Sequence, residues 1–233
     1  MRRHAWCAVL VVTLLLPQRL RAQDDRPAVN DAQLWLQGLA LLPIGDAWTI
    51  HAEAQPRWND DISQRDQLIL RGAIGRRVSA RITLWGGYAY NPRWVDDERL
   101  DEQRTWQQLS ATFPNMGKWA SSLRVRQEQR YLADWGDASH RLRVMGRFVR
   151  PIGASVWSLA LWDEYLVTLD ETSGGPNQGF DQNRVFAGVL RKLSEDVTFE
   201  GGYLWQLQPS TASRGTRHGH TAFLWLTYAP PRK

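Results

Sequence analysis

From Trp119 to Arg150 the chain alternates between apolar and charged residues with a period of two, which only a β-sheet with two unlike faces accommodates. On the first strand Leu123, Val125 and Tyr131 fall on one side and Arg124, Arg126, Glu128 and Arg130 on the other. After a polar turn the pattern repeats, with Leu142, Val144, Gly146 and Phe148 opposed by Arg141, Arg143 and Arg147. A soluble sheet wets its polar face, but this face carries far more charge than wetting requires. Something must enclose the arginines or compete for them.

The alternation runs through the rest of the chain. Eleven strands are expected, near residues 32–42, 47–58, 65–75, 79–90, 104–113, 119–131, 139–150, 155–166, 181–192, 196–207 and 217–228. Short turns such as Pro43 to Asp46 and Pro151 to Ala154 alternate with longer loops at Asn91 to Gln103, Val167 to Phe180 and Gln208 to Thr216. Most strands reach the nine to eleven residues that a tilted crossing of a bilayer needs, beyond the usual five or six. The expected fold is all-β: an antiparallel up-and-down transmembrane β-barrel of about 10–12 strands, occupying residues 32–233. An odd count conflicts with the even number usual in bacterial barrels. A soluble periplasmic barrel or sandwich that binds a ligand is the competing class.

The start of the chain is of a different kind. Residues 1–22 combine Arg2 and Arg3, an apolar run from Ala5 to Leu16 and a terminal Leu20-Arg21-Ala22, the layout of a cleaved secretory signal peptide. Export to the bacterial outer membrane is the expected destination. Four of the 29 Lys and Arg residues leave with this segment and none of the 24 acids, so the mature chain is near neutrality despite a sequence pI of 9.7. Without a net basic domain, nucleic-acid binding loses its main support. The single cysteine, Cys7, leaves as well, so disulfides and cysteine-metal sites are not expected. Residues 23–31 form a polar segment, and Asp24 and Asp25 are expected to plug into the lumen.

Outward faces are expected at Trp48, Ile50, Ala52 and Ala54, at Ile82, Leu84, Gly86, Tyr88 and Tyr90, and at Phe199, Gly201, Tyr203, Trp205 and Leu207. Thirteen tryptophans suit two aromatic girdles at water–lipid boundaries. The opposite faces carry Glu53, Arg57, Arg71, Arg81, Arg124, Arg126, Glu128, Arg130, Arg141, Arg143, Arg147, Glu164, Arg184 and Glu200. So many ions in a dry core would each cost several kcal/mol if unpaired, whereas a wet lumen tolerates them. With the turn centred between Trp135 and Gly136, Glu128 is expected opposite Arg143, Arg130 opposite Arg141, and Arg141 opposite Glu164 across the next turn. A barrel of eleven strands is roughly 20 Å wide, so these side chains predict a narrow or occluded lumen with weak anion preference.

Catalytic signals are weak. His140 adjoins Ser139, but neighbours on a strand point to opposite faces, which argues against a nucleophile–base pair. His218-Gly219-His220 lacks an evident third metal ligand. No cofactor, metal or catalytic residue is expected, and a lipid-modifying hydrolase is the remotest alternative. Acids of the long loops, including Asp60, Asp61, Asp101, Glu102, Asp170 and Glu171, suit solvation or divalent-cation bridging to lipopolysaccharide.

The segments Gly87 to Tyr90, Glu102 to Leu109, Arg124 to Arg130, Arg141 to Arg143, Asp163 to Tyr165, Phe180 to Arg184 and Gly202 to Leu204 together resemble the domain-of-unknown-function family 2490. The resemblance implies a secreted outer-membrane barrel and carries no activity. Expected partners are the lipid bilayer, lipopolysaccharide and, during insertion, the barrel-assembly machinery, with no nucleic acid.

Overall fold

Period-two patterning keeps each segment extended, and the computed structural model, which describes residues 27–95, 98–133, 135–210 and 215–232, contains eleven strands. They are β1 (Val29–Ile44), β2 (Trp48–Asn59), β3 (Gln64–Arg77), β4 (Ile82–Val95), β5 (Glu98–Thr112) and β6 (Ala120–Leu132). There follow β7 (Ser139–Pro151), β8 (Trp157–Thr168), β9 (Gly179–Lys192), β10 (Val197–Gln208) and β11 (Arg217–Tyr228). All belong to one sheet closed on itself, with each strand beside its neighbours in sequence and β1 beside β11. A single closed sheet excludes the two-sheet sandwich.

The odd strand number is accommodated at the seam. β1 and β11 run parallel, from Val29 opposite Arg217 to Ala40 opposite Tyr228, while every other pair is antiparallel. Closure leaves no free edge for another chain to extend. The connection 60–63 folds over this seam. Asp61 and Ile62 donate backbone N–H groups to the Asp31 carboxylate and the Ala32 carbonyl at 3.2 and 3.1 Å. Its geometry is unusual, because Asp60, Asp61 and Ile62 take φ of 51°, 53° and 68° in succession, a left-handed conformation unfavourable to a β-branched residue.

Strand tilt follows from the register. A line of directly paired residues leaves Ile44 at the lower end of β1, passes through Leu84, Val125, Val144, Asn183 and His218, and returns to β1 at Asn30 near its upper end. A climb of nearly a whole strand per circuit belongs to strands tilted about 40° from the axis.

Connections 45–47, 78–81, 113–119, 152–156 and 193–196 lie at the lower end. Gly45, Gly117 and Gly153 supply left-handed turn positions there, at φ of 53°, 61° and 58°. The opposite end holds 60–63, 133, 135–138, 169–178, 209–210 and 215–216. One expected loop is corrected: β4 continues to Val95 and β5 begins at Glu98, so most of Asn91 to Gln103 is a tall hairpin. The same alternation that defines these strands simply continues through Asn91, Glu102 and Arg104, whose side chains are buried. The N-terminal boundary also moves, since Val29, Asn30 and Asp31 belong to β1. Asp24 and Asp25 and the expected signal peptide lie outside the described residues.

The partition of side chains is inverted relative to a soluble protein. Ile44, Trp48, Ile50, Leu70, Ile74, Leu84, Tyr88, Tyr203, Leu224, Leu226 and Tyr228 are exposed on the outer wall, Ile74 at 58%. At the lower rim the guanidinium of Arg76 lies 5.4 Å from the Trp48 ring, Arg150 5.6 Å from Trp119 and Arg191 5.4 Å from Trp157. Small residues Gly38, Ala40, Ala52, Ala54 and Gly72 open a groove of about 690 Å³ on this wall, flanked by Leu70, Tyr88, Tyr90 and Tyr228.

Candidate functional site: the charged lumen

Residues 124, 126, 128 and 130 of β6 alternate with the apolar outer positions and therefore all face inward, as do 141, 143, 145 and 147 of β7. Glu128 sits at their centre and is 1% exposed. Its carboxylate accepts hydrogen bonds from Arg141 Nη2 at 2.6 Å and Arg143 Nη1 at 2.7 Å, with Arg126 and Arg104 at 3.7 and 3.9 Å. Arg143 reaches onward to Glu164 at 2.8 Å, and Glu164 also accepts from Arg124 at 2.7 Å and Arg184 at 3.3 Å. Arg104 and Arg130 share Glu102 at 2.7 and 2.5 Å, and Arg141 adds Asp181 at 2.9 Å. The result is one continuous ladder from β5 to β9. The forked guanidinium groups of Arg104, Arg141 and Arg143 each serve two carboxylates, a role the single ammonium of lysine fills poorly.

Other inward ions pair apart from the ladder. Arg71 binds Glu53, which also meets His51 Nε2 at 3.0 Å. Arg147 of β7 reaches Glu200 of β10 at 2.7 Å, bridging strands three apart. Arg217 binds Asp31 beside the seam. Arg57 is held by the Gln55 carbonyl oxygen at 2.6 Å and stacks 3.6 Å above the Trp35 ring, whose surroundings include Arg184 at 5.1 Å. Arg126 is held by Gln108 at 2.8 Å and lies 4.2 Å from the Trp106 ring.

Apolar side chains fill much of the remaining interior. Trp35, Met145, Ala160, Trp162, Phe186, Leu204 and Phe223 form a buried cluster, with Trp162 stacked on Phe186 at 5.1 Å. Ladder and cluster both lie inside the barrel, and Arg184 of the ladder joins the two at the Trp35 ring, where Arg57 also stands.

Of the residues singled out in the sequence, Arg124, Arg126, Glu128, Arg130, Arg141, Arg143, Glu164 and Arg184 meet in the ladder. Glu53 with Arg71 and Arg147 with Glu200 form separate inward pairs. Arg81 does neither: it is exposed in the connection before β4. The expected register is corrected by two residues between β6 and β7 and by four between β7 and β8. Glu128 stands opposite Arg141, Arg126 opposite Arg143 and Arg130 opposite Ser139, while Arg141 faces Thr168 and Glu164 faces Met145. Glu102, Arg104, Asp181, Asp31 and Arg217 were not anticipated as lumen ions. Glu102 and Arg104 were legible in principle, because they share the parity of Trp106 and Gln108.

The remaining sequence candidates lie elsewhere. His140 projects outward and its Nδ1 meets Asp170, whereas Ser139 is buried on the inner face. Burial pushes the Asp170 carboxyl up, but hydrogen bonds from the His140 backbone N–H and ring hold it below the usual carboxylate range. His218 stacks on Trp205 and His220 on Tyr203. Among the described residues no three His, Cys, Asp or Glu side chains converge as a metal site.

Comparison with known proteins adds a lineage. An uncharacterized protein of Methylorubrum extorquens is 35% identical over 196 residues, covering 82% of this chain and 85% of its own length. The model of the family described as protein of unknown function DUF2490 matches residues 32–217, nearly the whole barrel. The chain therefore belongs to the DUF2490 family.

Proposed function

We propose that this protein is a bacterial outer-membrane β-barrel of structural, non-catalytic role, whose lumen is occluded and whose residual ion passage favours anions. The observation that carries the reading is the inverted partition, with the apolar band exposed around the outer wall and the ion ladder enclosed. A soluble barrel with this outer surface would expose an apolar area well beyond the patches that monomers tolerate. The three Arg–Trp pairs of the lower rim suit a headgroup boundary, with tryptophan at the interface and arginine toward phosphate. That rim is assigned to the periplasm because its connections are short, and the acidic loop end to the lipopolysaccharide side. An acyl chain fits the groove between Tyr88 and Tyr228.

The anion preference rests on arginine outnumbering acid inside, with Arg57 held only by amides and an indole. Cell fractionation with heat-modifiable gel migration tests the membrane assignment. Recovery in the outer-membrane fraction, with a band that shifts on boiling, is expected; a soluble periplasmic protein with no shift would overturn it.

A further inference from the structure

Half-way up the wall formed by β5–β8 the apolar band is interrupted. Gln107 and Gln127, directly paired on adjacent strands, are both exposed on the outer face, as is Asp163 of β8. Gln107 and Gln129 exchange amide hydrogen bonds at 3.1 and 3.3 Å, and Thr105 donates to Gln129 at 2.8 Å. Gln127 makes no side-chain hydrogen bond among the described residues. One Asp163 oxygen accepts from Asn183 at 2.5 Å. Beside Asp163 on β7 stands Gly146, where a Cβ would meet nothing within 4 Å.

Polar groups facing hydrocarbon need partners, and lipid tails supply none. We infer that this arc is the contact face of a homodimer, with a two-fold axis along the membrane normal between β6 and β7. The inference rests on the membrane reading above. A second copy is the occupant that fits, because amides both donate and accept and so complement themselves. Level matters too, since a two-fold along the normal preserves height. The register line from Gln107 passes through Gln127 and Leu142 to Val167. At a tilt of about 40°, three strand spacings lower the equal-height position by roughly four residues, which brings Asp163 level with Gln107. Across the axis β8 of one copy faces β5 of the other, so the Asp163 carboxylate meets the Gln107 amide of the second copy. Gly146 lets the two walls approach closely, as small residues do at membrane interfaces.

The test uses the full chain in a Cys7→Ser background. Gln127→Cys and Val144→Cys, treated in isolated outer membranes with a short bismaleimide, are expected to give a band of twice the chain mass. Leu36→Cys, on the opposite wall, is expected to give none. In detergent the unsubstituted chain is expected at two-chain mass, and the combined Gln107→Leu, Gln127→Leu and Asp163→Leu variant at one. Single-chain mass for the unsubstituted protein, or a cross-linked band of another mass, overturns the dimer while heat-modifiable migration still marks an inserted barrel. Loss of heat-modifiability in the unsubstituted protein instead removes the membrane reading and the dimer with it.

Discussion

Glu128 holds the centre of the lumen, and its removal exposes how the ladder works. Glu128→Ala leaves Arg141 buried without its main counter-charge and Arg143 with Glu164 alone, so it should destabilise the barrel by about 3–5 kcal/mol, the scale of a broken buried pair. The temperature at which the boiled band replaces the folded band should fall accordingly. A double-mutant cycle should find about 0.5–3 kcal/mol of coupling between Arg143 and Glu164, which are in contact. The cycle on Arg141 and Glu164 should find none by direct contact, because Arg141 turns instead to Glu128 and Asp181. At the outer rim, Asp170 has a folded-state carboxyl below its ordinary range. Such a group stabilises above the unfolded pKa and loses its effect as pH falls through the folded one. Hydrogen-exchange protection of loop 169–178 should therefore persist through pH 4 and fail below it, whereas Asp170→Asn should lose protection already at neutral pH.

Single elements show which parts of the fold were legible and which were not. The eleven strands and their faces follow from period-two patterning that burial reinforces at every second residue, so Trp119 to Arg150 revealed its two sides directly. Register did not follow, because the residues of the β6–β7 connection are compatible with several turn centres, and a shift of two residues preserves every face. Seam closure was equally hidden, since no local pattern announces that β1 will meet β11 in parallel. Two substitutions probe the resulting packing. A Cβ at Gly202 would lie 2.4 Å from the Ala187 carbonyl oxygen and the Gly188 Cα, so Gly202→Ala should cost about 1–3 kcal/mol through overpacking. Gly86→Ala, where a Cβ meets nothing within 4 Å, should stay within about 0.5 kcal/mol. In the turn over the seam, Ile62→Asn relieves a left-handed β-branched residue and should stabilise the barrel by about 0.5–1 kcal/mol in urea titrations.

For the whole molecule, the charge that looked excessive for a sheet surface is explained by enclosure. Ions on β5–β9 pair with one another across the lumen, leaving arginine in excess, and a tryptophan and phenylalanine cluster is buried inside the same wall. The lumen's filling was legible only in part: barrel width and arginine count predicted a narrow passage, but the apolar cluster arises from residues scattered over six strands from β1 to β11. The proposed occlusion of the lumen by ladder and cluster would distinguish this barrel from a porin of greater strand number. Planar-bilayer recording on heat-modifiable, purified protein tests that account most directly. The account predicts no large stable steps, with any small residual current favouring anions; a large, long-lived and unselective conductance would contradict it.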